Sequence, residues 1–175
     1  MGWLFDQEQY KDEASRAVEQ FRKVCPDASF AVGECMNGDP FELALALVRY
    51  GFQVPEIYGT ITAENFVYIR HLAKLSPGTK IFSNMEPTML YYDPVESGVN
   101  LTIGKDAGYY HPDQPNVVWN QDRQPYGYAG YVDYLRHSLR LRRSRIRGRG
   151  REHERTSEIS DTLCPGSVRS SVGSV

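Results

Sequence analysis

The chain has 175 residues, enough for one domain with a real core and too few for two of ordinary size. Its net charge of −2 hides two unlike parts: 10 Lys+Arg against 18 Asp+Glu up to Leu135, then 10 Arg against 4 acids from Arg136 onward. The sequence has no run of about 18 apolar residues, and its start, Met1-Gly2-Trp3-Leu4-Phe5-Asp6, lacks the basic-then-apolar order of a signal peptide. A membrane span is thereby excluded, no membrane partner is expected, and the predicted location is cytoplasmic.

From Gln7 to Val24 the residues Tyr10, Ala14, Ala17, Val18 and Phe21 recur at three- and four-residue steps among charges, which predicts an amphipathic helix stopped by Pro26. Ser29-Phe30-Ala31-Val32 reads as a strand entering the polar loop Gly33-Glu34-Cys35-Met36-Asn37-Gly38-Asp39. Asp39 is placed to cap a helix with Pro40 at its first position. That helix, Phe41 to Tyr50, is apolar nearly all round, as expected of a segment packed on more than one side, and Gly51 ends it.

Phe52 to Tyr58 gives a second strand, and Thr62 caps a helix through Leu75 with Phe66, Ile69, Arg70 and Ala73 at helical spacing. Glu64 stands too close to Thr62 for a capping box. Short strands follow at Lys80-Ile81-Phe82, Val99 to Ile103 and Val117-Val118-Trp119, and a last helix begins at about Tyr131.

Strands alternating with helices predict an α/β fold with a mostly parallel sheet covered on both faces. Ligands of such sheets bind beyond the carboxyl ends of the strands, so the loops Gly33–Asp39, Gly59–Thr60, Ser83–Glu86, Gly104–Asp106 and Asn120–Gln124 are expected on one rim. The organisation read from these patterns is an N-terminal helix over 1–27, an α/β domain over 28–141 and a basic tail over 142–175. From Gly148 the tail holds almost no large apolar residues. Such a composition cannot offset its ordering entropy and predicts disorder, although the preceding arginines can extend the last helix.

Three cysteines, Cys25, Cys35 and Cys164, form no CxxC pair and no even framework, so reduced thiols are expected. Cys35 precedes a helix N-terminus, where a thiolate is favoured as a ligand or nucleophile. Glu34 and Asn37 flank it with polar groups, whereas capping alone explains Asp39. Gly33 to Gly38 has the GxxxxG spacing but continues Asp39-Pro40, so it lacks the lysine and hydroxyl of a phosphate-binding loop. Lys105 and Asp106 put a cation and a carboxylate after Gly104. His111 stands in a loop without a second ligand, and zinc or iron sites need three or four. Trp119, Tyr126 and Tyr128 could line a pocket mouth or simply pack. The arginines from Arg136 to Arg155 would attract nucleic acid, with no stacking aromatic among them.

Arg49-Tyr50-Gly51-Phe52, then Val54-Pro55-Glu56-Ile57-Tyr58-Gly59, and above all Gln124-Pro125-Tyr126-Gly127-Tyr128-Ala129-Gly130-Tyr131 at the start of the late helix resemble nitrogenase component 1-type oxidoreductases. The resemblance covers roughly Ala28 to Leu139 and corresponds to the C-terminal subdomain of that family. It implies a Rossmann-like, chelatase-like three-layer sandwich, truncated relative to the family. It also implies an iron–sulfur cluster shared with missing subdomains or a partner chain, with Cys35 as ligand and Gly33, Glu34, Asn37, Lys105 and Asp106 beside the cofactor. Expected partners are a homologous subunit and a reductase, with nucleic acid reached only through the tail. The stretch Val117 to Gln121 has no His where nitrogenase itself holds its molybdenum cofactor, which argues against a dinitrogen-reducing site. The expectation is an oxidoreductase domain or fragment engaged in electron transfer and not self-sufficient. The alternatives are a non-catalytic α/β interaction domain with an Arg-rich contact tail, and an inert fragment.

Overall fold

A computed structural model describes residues 7–34, 38–93, 97–118 and 127–162, with side chains as far as 145. The first helix, α1 (Glu8–Val24), buries the stripe Ala14, Ala17, Val18 and Phe21, the face its apolar spacing dictates. Strand β1 (Ser29–Val32) is buried at every residue, so both faces of the sheet are covered there.

Helix α2 (Pro40–Arg49) starts and stops as its sequence specifies. The Asp39 carboxylate accepts from the backbone N–H of Phe41 at 2.8 Å and of Glu42 at 3.3 Å, while Pro40 fills a position whose N–H would have no helical partner. At the other end Gly51, with φ +76°, turns the chain so that Gly51 N donates to Val48 O and Phe52 N to Leu47 O, at 2.8 and 3.0 Å. These two bonds close the left-handed helix stop that glycine permits without a Cβ penalty.

Strand β2 (Gln53–Tyr58) leads to a short 3-10 turn, Ala63–Asn65, and then α3 (Phe66–Leu75). The box at this entry is completed by Asn65, whose Oδ1 accepts from Thr62 N at 2.8 Å. Helix α3 turns Leu72 fully inward with Tyr68 and Ile69 partly buried, whereas Phe66 is 49% exposed. Of the residues at helical spacing Ile69 packs inward, and the buried stripe is Tyr68, Ile69 and Leu72, three- and four-residue neighbours that bury more apolar surface than one ending on Ala73.

After β3 (Lys80–Phe82) comes a 3-10 helix at Pro87–Tyr91, then β4 (Leu101–Ile103), α4 (Lys105–Tyr110), β5 (Asn116–Val117) and α5 (Gly127–Thr162). Helix α4 occupies a stretch the sequence presented as loop, because Gly104, Gly108 and the clustered tyrosines dilute its apolar period. β4 and β5 are shorter than expected, and Trp119 lies outside the described residues.

The five strands are all parallel, in the order β3-β2-β1-β4-β5, with Val32 opposite both Ile57 and Ile103. The expected α/β architecture is thus present. One face carries Phe30, Val32, Ile57, Leu101 and Ile103 against α1, α2, α3 and α5. Phe21, Phe30 and Phe52 meet there with ring centroids 5.5–5.9 Å apart, and Tyr50 stacks on Tyr131 at 4.8 Å. The other face has a thinner cover in which Ala31 and Tyr58 pack against Met89, Val99 and Ala107. The crossovers from β1 through β3 and the crossover from β4 to β5 lie on opposite faces, so the chain reverses its winding between β1 and β4.

The chain separates after Arg142 into two compact units. In the first, Arg142 pairs with Asp27 at 2.8 Å and Arg136 with Glu13 at 3.1 Å, fixing the start of α5. The second contains the arginine-rich turns of α5 as far as Thr162; residues 163–175, the rest of the segment whose composition predicts disorder, lie outside the described residues. No helix among the described residues is long and apolar enough to cross a membrane.

Candidate functional site at the carboxyl rim

Because every strand runs the same way, the loops after them gather at one edge, and the place on it where ligands of open parallel sheets bind is the winding reversal between β1 and β4. Gly33 ends β1 there and donates its N–H to Ile103 O at 2.7 Å. Lys105 N donates back to Glu34 O at 3.3 Å. The two loops sit backbone against backbone: a Cβ on Gly33 would lie 2.6 Å from Ala107 N, and one on Gly104 would lie 2.5 Å from Gly33 O. Gly104 also has φ +96° and ψ 165°, a region essentially closed to other residues. Both glycines are therefore dictated by this close approach.

The acidic side chains cross-tie neighbouring loops. Glu34 Oε1 accepts from Thr60 N at 2.7 Å, joining the loop after β1 to that after β2. Asp106 Oδ2 accepts from Asn84 Nδ2 at 2.9 Å, joining the loop after β4 to that after β3. Asp39 accepts from Asn65 Nδ2 at 2.6 Å besides capping α2. Lys105 is exposed and, among the described residues of the rim loops, is the cation presented to solvent. Of the candidate residues, Gly33, Glu34, Lys105 and Asp106 come together at the reversal point, while Cys35 and Asn37 lie outside the described residues.

The donor set decides whether a cluster fits. Iron–sulfur clusters need several thiolates converging on one point. Cys25 is fully buried in the core before the amino end of β1, and a four-residue strand separates it from the rim, roughly 13 Å at the usual rise. No group of three His, Cys, Asp or Glu that could hold a metal ion occurs among the described residues. The described residues do not fit a cluster on their own.

A second polar centre lies on the thinly covered face. Glu56, mid-way along β2, is 1% exposed. Its Oε2 accepts from Tyr58 Oη at 2.7 Å and lies 2.6 Å from His111 Nε2, and its Oε1 accepts from Tyr92 Oη at 3.1 Å. A carboxylate oxygen that close requires the hydrogen on Nε2, so His111 donates. Burial alone would raise the Glu56 carboxyl, but the bonds from His111 and Tyr58 and the His111 charge outweigh it and hold the group below its ordinary value. Burial and the Glu56 carboxylate push the Tyr58 hydroxyl far up and the Tyr92 hydroxyl to about 12. Phe82 and Tyr110 stack against Tyr58 at 5.2 and 4.8 Å, which keeps water from the carboxylate.

Sequence reasoning placed His111 in a loop without a partner. It is instead the residue that ends α4, 8% exposed, and Glu56 went unremarked. The available signal was an acid at the centre of a strand in a sheet covered on both faces, which must find donors to be tolerated.

No family model matches the chain, and no curated protein matches it. Among solved structures it is similar to nitrogenase Cp1 at pH 6.5, with a TM-score of 0.55 and 17% identity over 79% of this chain. The chain spans 34% of that protein's length. At this identity the likeness concerns the fold, the parallel Rossmann-like α/β arrangement described above.

Proposed function

We propose that this chain is a nitrogenase component 1-like α/β domain of an oxidoreductase assembly, its carboxyl rim forming one wall of a redox site that another chain completes. The observation carrying this reading is the convergence of Gly33, Glu34, Lys105 and Asp106 at the winding reversal, where open parallel sheets bind their ligands. The likeness in fold to nitrogenase Cp1 supports the oxidoreductase class. Among the described residues the rim offers ties between loops and a cation, and the reading assigns the further thiolates that a cluster needs to another chain. Within the assembly the rim positions and excludes water, and the chemistry belongs to whatever group the completed site holds. The expected partners are a homologous chain that closes the wall and a reductase that supplies electrons.

A photo-crosslinking amino acid placed at Lys105, compared with one at the exposed Glu19 of α1, tests the composite wall in the native cell. The expected outcome is a product with a component 1-type chain from position 105 only. Equal, background yields from both positions would refute it.

A further inference from the structure

The thin cover of the second sheet face includes, besides Val99, two segments, Ser83 to Tyr92 and Gly104 to His111, and polar bonds tie these two to each other along their length. At the rim, Asn84 donates to Asp106 at 2.9 Å. Midway, Tyr110 Oη donates to Met89 O at 3.1 Å. At the base, Tyr92 and His111 converge on the two oxygens of the same Glu56 carboxylate. Each segment therefore has one end at the rim and the other on Glu56, and α4 runs unbroken from Lys105 and Asp106 to His111.

The inner side of this cover buries Met89 and Ala107, whereas Met85, Leu90, Tyr91 and Tyr109 are 76–89% exposed. Its inner side also lays the Tyr110 ring on Tyr58 and the Tyr92 ring on Phe82, yet this face buries far fewer apolar residues than the opposite one. Segments with few buried apolar contacts open at free energies well below that of global unfolding, in contiguous cooperative units. We propose that Ser83–Tyr92 and Gly104–His111 form a single hinged cover, latched to the sheet by the Glu56 carboxylate, whose opening moves Lys105 and Asp106 at the rim. Glu56 is a positioning residue in this device, acting on the rim through α4 and His111. The rim's geometry is thereby linked to a buried group that it never touches.

Hydrogen exchange on the full chain tests the latch, since the amides of Met89, Tyr92, Gly108 and His111 are bonded within the cover and report its opening. Glu56→Gln keeps the side chain's shape but removes its charge. It is expected to speed exchange about tenfold or more in both segments together, leaving α1, α2 and β1 unchanged. Tyr92→Phe keeps the ring against Phe82 and deletes the hydroxyl that bonds Glu56. It should give a smaller acceleration with the same two-segment pattern, and it carries the test should Glu56→Gln fail to fold. Acceleration confined to one segment, spread evenly over the domain, or absent from both variants would overturn the proposal.

Discussion

At the scale of single residues, the Glu56 carboxyl has the clearest pH consequence. Its value in the folded chain lies below its ordinary one, so its contribution is fully present above the unfolded carboxyl pKa of about 4.3. That contribution is lost as pH falls through the lower folded value. The stability difference between wild type and Glu56→Gln, measured by urea unfolding, should therefore shrink between pH 5 and pH 3. A difference that stayed constant or grew would contradict the assigned network. Tyr131 gives the opposite case: its hydroxyl is buried without a hydrogen-bond partner among the described residues, and burial, then Tyr50, raises its pKa strongly. Tyr131→Phe removes a desolvated oxygen while keeping the stack on Tyr50, and should be neutral or stabilise by up to about 1 kcal/mol. The residues legible in sequence were those with local geometry, such as Asp39, Pro40 and Gly51. Glu56 and His111 are 55 positions apart, and no local pattern announces a pair that only the sheet brings together.

At the scale of elements, legibility followed apolar content. α1, α2 and the strands through β3 carry strong periods and punctuating residues and appear where the pattern predicts. α4 was hidden by its glycines and tyrosines, and the inward face of α3 is set by Tyr68, Ile69 and Leu72 rather than by the first apolar residue after its cap. Two substitutions test the element ends. Asp39→Ala removes the α2 cap and the tie to Asn65, and should cost about 1–2 kcal/mol by urea titration with an unchanged m value. Gly104→Ala forces a Cβ into a backbone region reserved for glycine and against Gly33 O at 2.5 Å. It should cost at least about 1–3 kcal/mol by urea titration, and an unchanged stability would contradict both the backbone conformation and the close approach of the two loops.

At the scale of the whole molecule, the parallel sheet and its rim were legible because alternating strands and helices leave few topologies. Of the residues singled out from loop position, Gly33, Glu34, Lys105 and Asp106 lie together at the rim, and the structure explains Gly33 by its close approach to Ala107 and the two acids by ties between loops. The division after Arg142 predicts that a chain ending there keeps the thermal midpoint and cooperativity of the full protein.

The account turns on the rim being one wall of a site and not a complete one. Anaerobic incubation of the purified chain with iron(II) and sulfide, followed by visible absorbance and bound-iron assay of wild type and Cys35→Ala, tests this most directly. The account predicts a well-folded monomer with no cluster absorbance and no iron that depends on Cys35. Stable, stoichiometric iron in the monomer that disappears in Cys35→Ala would contradict it and make the chain a self-sufficient redox centre.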